Sequence, residues 1–234
     1  MIRPTPMKKK TRPMKASVII PTLDEADAIR DVVSAVRTVA PESEVIVVDC
    51  SSKDGTPEIA REAGAIVIDD PRPGYGRAIL TGLERAEGEV IAVIDGDGSY
   101  EADDIPKTII PILEGKTDLV LASRLGGKIL PEAMPDMNLI GNYLLTWTYN
   151  ALYNQSVTDT QTGLRSIRRE VFERLDLDDT AITFLTNMLI TVAKMELRIA
   201  EIPTTYYARK GHSKLHPLRD GFKIFWCLIK RWFE

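Results

Sequence analysis

Two aspartates one residue apart, Asp95 and Asp97 with Gly96 between them, directly follow an apolar run at 90–94. Carboxylates spaced this way reach a single divalent cation, Mg2+ or Mn2+, that bridges diphosphate oxygens, and the glycine lets the backbone approach. Acidic turns after strands are also common as plain solvated turns, so the triplet gains meaning only from its neighbours. Asp49 closes another apolar run, where its carboxylate can accept a ring N–H from a uracil or guanine base. The segment that follows, Ser51-Ser52-Lys53-Asp54-Gly55-Thr56, is equally rich in turn and helix-cap formers. Gly74-Tyr75-Gly76-Arg77-Ala78 offers open backbone at a helix N-terminus, which serves either as an anion cradle or as an ordinary turn.

These residues need elements to bring them together. Short β-branched runs at 17–20, 44–48, 65–68 and 90–94 are each followed by a segment of helical period. Strand and helix alternating in this way predict a parallel sheet with right-handed crossovers, whose ligands bind beyond the carboxyl ends of the strands. Three polar clusters fall at those ends: Pro21-Thr22-Leu23-Asp24-Glu25, Asp49-Cys50-Ser51-Ser52 and Asp95-Gly96-Asp97. A further strand at 118–122 leads to Ser123-Arg124, and a helix is expected over 136–153. Its stripe of Ile140, Tyr143, Leu144, Trp147 and Ala151 reads as core or subunit contact, which leaves room for a homo-oligomer. After Arg165 come two helical patterns, a short strand ending at Pro203, a basic loop and a terminal amphipathic segment. His212 and His216 lie four apart in that loop without helical context and read as loop polar groups, not as a metal site.

The chain has 234 residues, which suits one α/β domain. Its 30 Lys and Arg nearly cancel 34 Asp and Glu, for a net charge of -4, which argues against a nucleic-acid partner. The two cysteines, Cys50 and Cys227, form neither a disulfide framework nor a metal-ligand spacing and point to a reducing compartment. No apolar run approaches the roughly 18 residues of a spanning helix, so the expected location is cytoplasmic. The organisation expected is a mobile extension at 1–15, a catalytic domain at 16–216 and an amphipathic helix at 217–234. On a wheel of about 100° per residue, Leu218, Phe222, Phe225, Trp226, Leu228, Ile229, Trp232 and Phe233 gather on one side of that helix. Arg219, Asp220, Lys223, Lys230, Arg231 and Glu234 lie opposite, and Ile224 and Cys227 fall off the apolar arc. Such a face meets a membrane surface or packs on protein.

In their order along residues 15–215, these pieces resemble glycosyltransferase family 2, and within it the dolichyl-phosphate mannose and glucose synthases. Ala122-Ser123-Arg124, Asp159-Thr160-Gln161-Thr162-Gly163-Leu164-Arg165 and Arg209-Lys210-Gly211-His212-Ser213-Lys214-Leu215 add to the likeness. The resemblance implies a GT-A-like, Rossmann-related α/β fold. It implies a nucleotide diphosphate sugar, GDP-mannose or a UDP-hexose, held by Pro21, Thr22, Leu23, Glu25, Asp49, Ser51, Gly76, Asp95, Gly96, Asp97 and Gln161. Asp95 and Asp97 would hold Mg2+ or Mn2+. Arg124, Arg165, Arg209 and Lys214 would neutralise the departing diphosphate and the phosphate of a polyprenyl or dolichyl acceptor, with inversion at the anomeric carbon and peripheral contact with the membrane. Cys50, Ser99 and Asn187 depart from residues common in that family at these places, which leaves donor and acceptor detail open. A soluble acceptor, or a nucleotide-binding regulator with an inactive transferase site, are the other readings. A Rossmann oxidoreductase is disfavoured, because the first strand runs into Pro-Thr-Leu-Asp-Glu and not into a Gly-x-Gly-x-x-Gly turn.

Overall fold

The structure is a computed structural model that describes residues 16–72, 74–175, 177, 182–211, 213 and 216–234. The extension expected at 1–15 lies outside the described residues, as do His212 and Lys214. Strands β1 (Ala16–Thr22), β2 (Glu44–Asp49), β3 (Ile66–Asp69) and β4 (Val90–Val93) alternate with helices α1 (Ala26–Val39), α2 (Thr56–Glu62) and α3 (Tyr75–Arg85). After a 3-10 turn at Ala102–Asp104 come α4 (Ile105–Leu113), β5 (Leu119–Ile129), α5 (Asp136–Tyr153) and β6 (Arg165–Arg168). Helices α6 (Arg169–Glu173) and α7 (Phe184–Lys194), strand β7 (Ile199–Tyr206) and helix α8 (Pro217–Phe233) complete the order.

The seven strands among the described residues form one sheet in the order β3-β2-β1-β4-β6-β5-β7. The first four run parallel, β6 is antiparallel to both β4 and β5, and β5 and β7 are parallel, so the sheet is mostly parallel as expected. The central strands read as unbroken apolar runs because helices cover both faces. Val18, Ile20, Val45 and Val47 join the core under α1 and α4, while Ile19, Ile46, Val48 and Ile91 join the core under α3 and α7.

Three expectations are corrected. The strand expected at 118–122 continues to Ile129, with an irregularity in its pairing to β7 between Ser123 and Lys128. The strand expected to stop at Pro203 runs on to Tyr206. Proline is tolerated within it because β7 is the last strand of the sheet and needs to donate on one side only. In α5 the stripe read as core or subunit contact is not core: Ile140 at 66% and Trp147 at 68% face outward, and the helix buries Leu145 and Tyr149 instead. The helix is apolar on both sides, so its pattern alone does not choose the inner face.

Helix α8 docks on the catalytic body, packing on α5 and α7. Its buried side chains are Ile224 and Leu228, one of them off the arc expected from the wheel, together with Asp220. The Tyr153 hydroxyl donates to the Leu228 carbonyl at 2.8 Å and Lys194 Nζ to the Arg231 carbonyl at 2.6 Å. Leu218, Phe222, Trp226 and Phe233 remain exposed on the other side.

Candidate active site

Strands β1 and β2 end level with one another, with Thr22 paired to Asp49. The Thr22 hydroxyl donates to Asp49 Oδ1 at 3.1 Å, and the Ser52 N–H and hydroxyl donate to the same carboxylate at 2.9 and 2.5 Å. Asp49 is thus a buried hub between two loops. The loops are further stitched by Asp24 N–H to Ser52 Oγ at 2.7 Å and Lys53 N–H to Asp24 Oδ1 at 2.9 Å. Pro21, next to last in β1, is half-buried, Leu23 is exposed, and Ser51 stands in left-handed conformation with φ 66°. The turn-and-cap reading of this segment finds its residue in Asp54, whose carboxylate accepts from the Ala26 and Thr56 N–H groups at 2.9 and 3.0 Å.

Asp95, Gly96 and Asp97 follow β4 next to the end of β1, since Ile94 N–H donates to the Ile19 carbonyl at 3.2 Å. A side chain at Gly96 would meet Thr22 Cγ2 at 2.9 Å. The Tyr75 hydroxyl, from the first turn of α3, donates to Asp95 Oδ1 at 2.8 Å. On its other side Asp95 lies against the bare Cα of Gly163, where a Cβ would come within 2.2 Å of Oδ2. Burial raises the Asp95 carboxyl, and the Asp97 charge raises it further, to about 6, against the opposing effects of the Tyr75 hydrogen bond, Arg124 and Arg209. Asp97 Oδ1 accepts from the Ser99 N–H and hydroxyl at 3.0 and 2.6 Å. Arg209 bridges Asp97 Oδ2 at 3.1 Å and Glu25 Oε1 at 3.3 Å. Its segment is also pinned to the aspartate loop, with Lys210 N–H donating to the Asp97 carbonyl at 3.0 Å.

Two of the arginines expected to face phosphate, Arg124 and Arg165, are interior. Arg124 makes a bidentate pair with Asp159 at 2.7 and 2.9 Å and lies over the Tyr206 ring. Burial raises the Asp159 carboxyl, but Arg124 more than offsets it and the net shift is downward. Arg165 is 1% exposed and donates to the Thr162, Thr160 and Leu185 carbonyls. Burial lowers its pKa. Both brace the 159–165 loop and so hold Gly163 against Asp95. Gln161 donates to Thr160 Oγ1 at 3.0 Å within that loop. Gly76 packs on Phe184 at the start of α7. Lys214 lies outside the described residues.

Sequence reasoning missed Tyr75, Ser99 and Gly163 as site residues. Tyr75 sits in the Gly-x-Gly turn, and its reach to Asp95 across 20 residues leaves no local pattern. Ser99 stands two residues after Asp97, a spacing that favours this kind of local hydrogen bond and was the one readable signal.

The donor set suits a hard divalent cation. Two carboxylate groups crowd one loop, one of them raised by its surroundings, and Arg209 supplies positive charge against them. Among the described residues no third acidic, His or Cys side chain completes a metal cluster. Mg2+ and Mn2+ held by one or two carboxylates take substrate phosphate and water as their remaining ligands, and the Asp95–Asp97 pair fits that pattern. Arg209 Nε is buried without a hydrogen-bond partner at the same place, a donor suited to an anion.

The sequence model of Glycosyl transferase family 2 matches residues 17–176. The low-salt glycan biosynthesis hexosyltransferase Agl6 of Haloferax volcanii is 37% identical over 211 residues, 88% of this chain and 51% of Agl6. The chain thus spans about half the length of that relative. A dolichyl-phosphate hexose transferase of the same organism is 34% identical over 216 residues, covering 92% of both chains. Glucosyl-3-phosphoglycerate synthase of Mycobacterium tuberculosis, solved with Mn2+, UDP and phosphoglyceric acid, aligns with a TM-score of 0.77 at 20% identity, over 94% of this chain and 78% of that one. That likeness establishes the GT-A-like fold.

Proposed function

The chain belongs to glycosyltransferase family 2, and from that premise we propose that it moves a hexose from a nucleotide diphosphate sugar, GDP-mannose or a UDP-hexose, to a polyprenyl or dolichyl phosphate. The observation that carries the reading is the meeting of Asp95, Asp97, Glu25 and Arg209 at the strand ends, where carboxylates for a cation and a guanidinium for a phosphate share one rim. The full-length likeness to a dolichyl-phosphate hexose transferase supports the acceptor class.

In this reading Pro21 to Glu25, Asp49 and Ser51 form the wall that takes the nucleoside, and the α3 N-terminus with Gly76 takes diphosphate. Asp95 and Asp97 hold Mg2+ or Mn2+, which when bound neutralises charge building on the leaving diphosphate. Tyr75 and Gly163 fix Asp95, and Ser99 fixes Asp97, so the carboxylates need no reorganisation when donor arrives. Arg209, beside Asp97 and with its Nε buried and unpartnered, is placed to pair with phosphate. Arg124 and Arg165 act by bracing the 159–165 loop, and Gln161 and Lys214 stay assigned to the donor and phosphate sites on the family resemblance alone. An acceptor phosphate is already anionic near neutral pH and needs little help from a general base. The outer ridge of α8 rests on the membrane, peripherally and at its cytoplasmic face; among the described residues no helix is long and apolar enough to cross a membrane.

The test is a panel of labelled UDP- and GDP-sugars offered with polyprenyl phosphate and Mn2+ or Mg2+, following label into the organic phase. One donor giving metal-dependent, lipid-dependent label is the expected result. Label found only in a water-soluble product, or nucleotide binding without turnover, overturns the acceptor assignment.

A further inference from the structure

Tyr100 stands three residues after Asp97 and is 6% exposed, yet it carries a hydroxyl into the interior. That hydroxyl accepts from the Gly163 N–H at 2.7 Å and lies 3.2 Å from Thr162 Oγ1. Thr162 spends its one hydroxyl proton on the Ala122 carbonyl at 2.5 Å, so Tyr100 is the donor to Thr162. A one-way chain therefore runs from the Gly163 N–H through Tyr100 and Thr162 to β5, and each hydroxyl in it donates once and accepts once. The ring gives the hydroxyl a single place. Its edge meets the Tyr206 ring, with centroids 5.2 Å apart and planes at 66°, and Tyr206 is itself capped by Arg124 at 5.1 Å. Backbone pairing of Tyr100 with Tyr206, and the Tyr207 N–H donated to the Ser99 carbonyl at 3.0 Å, fix the same stretch to β7. Phenylalanine would fill this space equally well, so packing alone does not require the hydroxyl.

Gly163 is where the hydroxyl acts. One side of its Cα lies so close to Asp95 that a Cβ would come within 2.2 Å of Oδ2, while its N–H is turned to Tyr100. Tyr75 holds the other oxygen, Oδ1, at 2.8 Å. We propose that Tyr100 is a positioning residue for Asp95: through Gly163 it presses the 159–165 loop against Oδ2 and completes, with Tyr75, a two-sided seat for this carboxylate. The Arg124–Asp159 pair and Arg165 hold the ends of that loop, and Tyr100 holds it between them. Loss of the phenol oxygen leaves the buried Gly163 N–H without an acceptor, and the loop must shift to find one. The consequence for a cation rests on the reading above, in which Asp95 and Asp97 hold Mg2+ or Mn2+; the seating of Asp95 does not.

The experiment uses the full chain and its point variants. Tyr100→Phe removes the hydroxyl and keeps the ring, Thr162→Val breaks the next link, and Thr162→Ser restores it. Thr117→Val deletes a hydroxyl of another buried residue, bonded to the Arg198 carbonyl at 2.8 Å at the opposite end of β5 from the site, and controls for loss of stability. Crystal structures give the position of Asp95. The electron paramagnetic resonance signal of free Mn2+, titrated with protein in the presence of UDP or GDP, gives metal binding. For Tyr100→Phe and Thr162→Val the expected result is an Asp95 carboxylate and Gly163 backbone displaced from their parent positions, with Mn2+ binding weakened about tenfold, the scale of one buried hydrogen bond. Thr162→Ser and Thr117→Val should bind Mn2+ within about twofold of the parent. An unmoved Asp95 in Tyr100→Phe, or in Thr162→Val should the first variant not fold, overturns the proposal whatever the metal does. So does Mn2+ binding at parent strength by a variant whose Asp95 has moved, or an equal loss in Thr117→Val, which would make the effect one of general stability. A displaced Asp95 in the variants of a parent that takes up no Mn2+ with either nucleotide upholds the seating and refutes the metal reading.

Discussion

Asp95 and Asp97 stand two residues apart in different surroundings, and that difference makes separate predictions. Asp97 accepts from Ser99 and pairs with Arg209, so Asp97→Asn keeps the volume and the Ser99 contact but loses the charge that attracts a cation. Transfer should fall by about two to three orders of magnitude at any metal concentration, with the melting temperature little changed; normal turnover at saturating donor and low metal would remove the assignment. Asp95 is held near 6 chiefly by burial, then by the Asp97 charge. Its folded pKa lies above the unfolded value of about 3.9, so the native state holds its proton longer and stability falls as pH rises from about 4 to 6. Asn escapes this cost and still accepts from Tyr75. Metal-free Asp95→Asn should therefore be more stable than the parent by about 2 kcal/mol at pH 8, a low figure because the residue keeps a partly exposed edge, with the gap closing toward pH 4. Denaturant melts at both pH values check it, and a variant less stable at pH 8 contradicts it. Gly163→Ala should also abolish transfer, because its new methyl occupies the space of Asp95 Oδ2.

At the scale of elements, what was legible depended on whether neighbours in space were neighbours in sequence. The first four strands and their helices follow local patterning, and the three polar clusters at their ends fall where a parallel sheet puts function. Strand β6 was not legible: its four residues Arg165–Arg168 carry two arginines and a serine, yet they fill the gap between β4 and β5. Tertiary pairing there overrides composition. The burial of Arg124 and Arg165 was hidden for the same reason, since Asp159 lies 35 residues from Arg124 and the carbonyls around Arg165 belong to a loop and to α7. Helix α8 shows the limit of an amphipathic wheel, which found a broad apolar arc but not that Ile224 sits inward while Phe222 sits outward. The consequence is testable by substitution. Leu228→Ala opens a cavity against α5 and α7 and should cost about 2–4 kcal/mol, whereas Phe222→Ser should change stability by no more than about 0.5 kcal/mol. Deleting 217–234 should destabilise the whole catalytic body for the reason Leu228→Ala does, so point changes on the outer ridge are the cleaner probe of membrane contact. Equal costs for Leu228 and Phe222 would mean that α8 is not docked.

For the molecule as a whole, the sheet sets Asp95, Asp97, Glu25 and the Arg209 guanidinium on one rim, and under the proposed function that layout bears on stereochemistry. Double displacement needs an enzyme carboxylate or other nucleophile poised at the anomeric carbon, on the face away from the diphosphate. The acidic side chains gathered at this rim are already engaged: Asp95 by Tyr75, Asp97 by Ser99 and Arg209, Glu25 by Arg209 and Asp49 by Thr22 and Ser52. Each is held in place by its partners, which leaves none of these four poised as a nucleophile. On the proposed lipid-phosphate reading, the incoming phosphate, anionic at neutral pH, does the displacement itself, and one displacement inverts. An α-linked nucleotide sugar should give a β-linked lipid phosphate hexose, read from the anomeric proton and phosphorus couplings of the purified product by NMR. Tyr75→Phe and Glu25→Gln should slow formation of that product without changing its configuration, because both act on positioning and neither on the path of the nucleophile. An α-linked product from the parent chain would refute single displacement and send the search for a covalent intermediate back to these four carboxylates, Glu25 first.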